Sequence, residues 1–178
     1  MSHFREKIPS WGELAPVYSV IMAFVFTRTL IPFFWKVPSW LYYLPLGKIF
    51  VIYAYTVVIN FIESVLILSG FAMLSFILPR KLFYERFVSR ASILAILGLS
   101  FLIYFDNQMT RIDVFPRAMV NWLPLVLVGI IVLTYGFDHI KPIRSLVENL
   151  ADRATVFLYL VLPLSAISLM IVLIRNIN

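Results

Sequence analysis

Residues 48–78 read KIFVIYAYTVVINFIESVLILSGFAMLSFIL, a run with no proline and, after Lys48, a single charge at Glu63. As a helix, a segment of about thirty residues reaches roughly 45 Å, enough to cross the hydrocarbon core of a bilayer and project beyond it. Glu63 then falls near mid-membrane. Asn60 and Thr56, three and seven residues earlier, share approximately its helical face. Thr56, Asn60 and Glu63 therefore form a narrow polar stripe on an apolar rod.

The rest of the chain repeats the pattern. Apolar residues make up 62% of the sequence and charged residues 13%, against about 25% charged in an average soluble domain. Apolar runs predict spans at residues 14–31, 48–78, 87–105, 118–137 and 154–174. The expected fold is a single all-α transmembrane domain over residues 1–178: a polytopic bundle of about five transmembrane helices plus one juxtamembrane amphipathic helix. Arg5 and Lys7 precede the first run as in a signal sequence, but no small-residue cleavage site follows, so an uncleaved span is expected. Ala91, Ala95 and Gly98 give the third span a small-residue face suited to close helix contact.

Residues 32–45, PFFWKVPSWLYYLP, hold three prolines among six aromatic residues. Proline breaks the helical ladder and aromatic rings favour the membrane–water boundary, so an interfacial loop is expected here. A re-entrant loop is the alternative, although its bulky residues suit close packing poorly. Residues 139–153 read as the amphipathic helix. Ile143, Leu146, Val147 and Leu150 form its apolar face, Arg144 and Glu148 an i,i+4 pair, and Ser145 with Glu148 a capping-box spacing.

The net charge of +6 would suggest nucleic acid in a soluble protein. In a membrane chain, basic residues flanking the spans account for it, and no nucleic-acid partner is expected. The side holding the N-terminus carries nine Lys and Arg residues against five on the other, with Arg28 set inside the first span. That bias places the N-terminus in the cytoplasm, with a bacterial inner membrane as the expected compartment. Arg80, Lys81, Arg86 and Arg90 form the densest basic patch and are the candidate head-group contacts.

The absence of cysteine removes disulfides, thiolate metal sites and cysteine nucleophiles. Both histidines, His3 and His139, fall outside the apolar runs, which argues against a bis-histidine haem. Neither a nucleophile elbow, a zinc-binding HExxH nor a phosphate-cradling glycine loop is present, so no cofactor is expected. Spans and prolines show no inverted repeat of the kind that builds many transporters. Asp106, Asn107, Gln108, Arg111, Asp113 and Arg117 form a polar connection, a poor frame for a metal. Asp138 beside His139 has the pieces of an acid–base pair without a nucleophile to serve.

A carboxylate at mid-helix costs roughly 2.5–3.5 kcal/mol on insertion scales, so Glu63 needs a partner. Arg28 is the natural one, although ideal helices leave the two alpha carbons roughly 10 Å apart in depth. Arg28, Thr56, Asn60 and Glu63 are thus the candidate intramembrane polar site, serving as glue between spans, as a proton or cation relay, or as a contact to a lipid or another chain. The expected function is that of a non-enzymatic accessory or scaffold subunit, bound to membrane lipids and to other membrane chains or copies of itself. The alternative is a small transporter or channel using this polar site.

Overall fold

The computed structural model describes residues 9–80, 82–109 and 117–177, and of residues 117–120 the backbone only. These residues form six α-helices and no strand. The helices are α1 (Trp11–Trp40), α2 (Leu46–Ile77), α3 (Phe87–Met109), α4 (Arg117–His139), α5 (Lys141–Ala154) and α6 (Val156–Ile177), with a 3₁₀ turn at Tyr84–Arg86. Five of them, all but α5, are long and apolar enough to cross a membrane. The all-α class read from the sequence is the observed one.

Helix α1 starts where Ser10 and Glu13 meet: the Glu13 carboxylate accepts from the Ser10 backbone N–H at 2.8 Å and from its hydroxyl at 2.9 Å. The helix then runs through Pro32 and Pro38 to Trp40. This corrects the loop expected over residues 32–45. In water, proline ends a helix because the lost hydrogen bond is cheaply replaced by solvent. In hydrocarbon, every other backbone group of a loop would go unpaired, so one missing bond is the lesser cost. The connection shrinks to residues 41–45, where Leu44 N–H bonds the Trp40 carbonyl at 2.7 Å. Trp35, Tyr42 and Tyr43, each more than 80% exposed, project outward at this end of the bundle.

Helix α2 stops at Ile77 because Leu78 precedes Pro79 and adopts the extended backbone that a following proline favours (φ −76°, ψ 150°). Successive spans alternate in direction, defining a Trp11 end and a Trp40 end. Helix α1 is the hub and packs against α2, α3, α5 and α6. On one side Val17, Val20, Ile21 and Val25 meet Phe83, Phe87, Ala91, Ala95 and Leu99. On the other, Tyr18, Met22 and Phe26 meet Val57 of α2 with Leu158 and Val161 of α6. Ala91 and Ala95 are fully buried, and with no side chain beyond Cβ they let α3 approach α1 closely. Helix α4 packs chiefly on α3 and α5.

Helix α5 differs in detail from its reading. Pro142 belongs to the first turn, so the helix begins at Lys141 and Ser145 lies inside it, not at the cap. The buried stripe is Val147 and Ala151, while Leu146 and Leu150 point outward. The rotation follows from Ala151, whose small side chain brings the α5 backbone against α1. There the Ser19 hydroxyl is shared between the carbonyls of Pro16 (2.7 Å) and Ala151 (3.2 Å). Arg144 Nε and Glu148 Oε1 sit 3.8 Å apart along the outer face.

Candidate functional site

Two polar groups lie among the helices, and they differ in how completely they are satisfied. The first joins α1 to α2. Phe33 packs its ring against Trp40 (centroids 5.5 Å) and Tyr53 (5.4 Å), fixing the register of the two helices near the Trp40 end. One to two turns deeper, Asn60 is buried and donates through Nδ2 to Thr29 Oγ1. The Thr29 hydroxyl bonds the carbonyl of Val25 or Phe26, each at 3.2 Å. Arg28 Nη2 stands 3.6 Å from Glu63 Oε1.

The depth mismatch expected for Arg28 and Glu63 came from ending the first span near residue 31. With α1 carried on to Trp40, both residues sit near the middle of their helices, and the long guanidinium arm closes the remaining gap. Thr56, one turn from Asn60, donates to its own helix at the Ile52 carbonyl (2.9 Å). The four residues thus share one interface, with Thr56 on the same cleft as Arg28 and not in the ion pair.

That cleft has a volume of about 310 Å³ and is lined by Arg28, Thr29, Phe33, Lys36, Thr56 and Asp106, among others. It extends from Arg28 toward the Trp40 end. Pro32 also lines it, and having no N–H it leaves the Arg28 carbonyl without its usual partner four residues on. Toward the Trp11 end the interface closes on the packed side chains of Tyr18, Met22, Phe26 and Val57. Arg28 and Glu63 are each about one-third exposed, and neither makes a hydrogen bond to a described residue.

The second group was not foreseen. Asp138, fully buried, accepts from Ser89 Oγ at 2.8 Å, Arg90 Nε at 2.8 Å and Arg86 Nη1 at 3.2 Å. The Arg90 guanidinium also lies 5.4 Å from the centre of the Tyr135 ring, and the Tyr135 hydroxyl donates to the Leu82 carbonyl at 2.9 Å. Together these contacts fasten the end of α4 to the start of α3 and to the connection before it. One expectation, the head-group role of Arg90, falls with this. Arg90 is not a head-group contact but an interior residue with 8% of its side chain exposed, and Arg86 bonds the same carboxylate. Asp138 does not pair with His139, whose Nδ1 lies 2.8 Å from the Tyr135 carbonyl. The physical reason is that a buried carboxylate must be met by donors, and only the α3 start supplies three.

Arg80 is exposed at the surface, its guanidinium 5.7 Å from the centre of the Tyr84 ring. Lys81, Arg111 and Asp113 lie outside the described residues, as does the side chain of Arg117. Asp106 falls on α3 and lines the cleft. Among the described residues no cluster of three or more His, Asp or Glu side chains is placed to hold a metal ion. Chemically, the Asp138 group is saturated and the Arg28 group is not. Comparison with known proteins returns no matching family model, curated protein or solved structure.

Proposed function

We propose that this chain is a non-enzymatic integral membrane protein that serves as an accessory or scaffold component of a membrane assembly. The observation that carries the reading is the unequal use of the five spans. In α2, α4 and α6 only 22%, 17% and 28% of the apolar segment is buried within the chain, against 50% in α1. Their outer faces are free for lipid and for neighbouring chains. An apolar groove of about 390 Å³ between α2, α3 and α4, lined by Phe71, Gly98, Leu102 and Leu127 among others, adds a shaped surface. Such surfaces suit lateral helix contact, which in lipid depends on packing.

Purification in a gentle detergent with mass spectrometry of the intact particle tests this. A stable particle containing other membrane chains, or a defined oligomer, is the expected result. A strictly monomeric particle with nothing copurifying overturns it. A second reading, a small transporter working through Arg28, Thr56, Asn60 and Glu63, draws support from the cleft that Arg28 and Thr56 line. On that reading Glu63→Gln abolishes flux in reconstituted vesicles while the protein stays folded.

A further inference from the structure

The cleft brings two cations of α1, Arg28 and Lys36, together with one carboxylate of α3, Asp106, while Glu63 faces Arg28 from α2. Arg28 carries five N–H donors, makes no hydrogen bond to a described residue, and faces Glu63 at 3.6 Å, beyond hydrogen-bonding reach. Lys36 lines the same cleft, exposed, with neither an ion pair nor a hydrogen bond to a described residue. Eight residues separate them on α1, so Lys36 stands about 12 Å nearer the Trp40 end. A guanidinium at mid-helix with idle donors is costly in a membrane unless an acceptor reaches it. Acceptor oxygens with negative charge meet that need best, because charge-assisted hydrogen bonds are the strong ones.

From this we infer that the cleft is a binding site for a phosphate-bearing head group, and that its occupant is a phospholipid entering from the leaflet at the Trp40 end. The phosphate oxygens engage Lys36 and Arg28, and the Thr56 hydroxyl, which donates to Ile52, keeps its lone pairs to accept from a glycerol hydroxyl. Phe33, Ile52 and Trp40 supply an apolar wall for the first carbons of an acyl chain. The cleft, about 310 Å³, has room for a head group and not for a whole lipid. A free phosphate ion offers the same oxyanion, but the apolar wall and the exposed Trp35, Tyr42 and Tyr43 at the same end of the bundle favour the lipid.

The test uses the delipidated full chain in detergent, with native mass spectrometry read against added phosphatidylglycerol, diacylglycerol and inorganic phosphate. One phosphatidylglycerol per chain is expected, with no retained diacylglycerol and no competition from inorganic phosphate. Lys36→Gln, at an exposed position that leaves packing intact, weakens retention about tenfold, the effect of losing one charged hydrogen bond. Lys141→Gln, at the opposite end, leaves it unchanged. Equal retention of diacylglycerol, or wild-type retention in Lys36→Gln, overturns the site. Binding of inorganic phosphate without lipid overturns the lipid as its occupant. The assembly reading stands apart from this result, because copurifying chains are scored independently of bound lipid.

Discussion

The Asp138 cluster and the Arg28–Glu63 pair are both ionic groups set among helices, yet they are built to opposite specifications. Asp138 is fully buried and met by three donors within 3.2 Å. Arg28 and Glu63 are a third exposed, lie 3.6 Å apart, and share no hydrogen bond. A saturated buried group fixes a geometry and has nothing left to offer a ligand. A pair left open beside a cleft contributes less to stability and keeps its chemistry available. The contrast says where rigidity and where function should be sought in this bundle.

The sharpest way to break the contrast is to remove the central carboxylate. Asp138→Ala strands Arg90 with its charge buried, and such losses cost about 3–5 kcal/mol. Equilibrium unfolding in mixed micelles should show a loss of that size. Ala151→Leu strikes the same end without touching a charge, by forcing α5 away from α1. Overpacking of this kind costs about 1–3 kcal/mol, and hydrogen exchange should rise along α5 before it rises in α3. Glu63→Gln is expected to have the smallest effect in the same unfolding assay, because the amide keeps an acceptor oxygen facing Arg28 and no hydrogen bond to a described residue is lost. A cost for Glu63→Gln as large as that for Asp138→Ala would erase the distinction between the two sites.

Much of the architecture was legible in the chain, and the failures have causes. The spans stood out because long apolar runs leave a bilayer-crossing helix as the simplest way to satisfy the backbone. Arg28 and Glu63 could be matched because few ionisable residues lie within the first two apolar runs. Lys36 was assigned to a loop because Pro32 and Pro38 were read by the rules for helices in water, and that error hid its place in the cleft. Asp138 was misjudged because it sits at the last turn of α4, where a carboxylate normally reaches solvent. Its partners Arg86, Ser89 and Arg90 lie about fifty residues earlier. A signal was present: three donors on one turn at the start of a span, with a lone carboxylate ending the next antiparallel one.

Helix α5 touches α1, α3, α4 and α6, all at the Trp11 end, and among the described residues no corresponding element ties the helices together at the other end. Mechanically, α5 works as a clamp on one edge of the bundle. At the opposite edge the fastening is of another kind: Phe33 sits against Trp40 and Tyr53, and the Tyr55 hydroxyl of α2 donates to Asn176 Oδ1 of α6 at 3.2 Å. One end is riveted by buried charge and a crossing helix, the other by rings and an exposed hydrogen bond, so a load along the spans passes through two unlike joints.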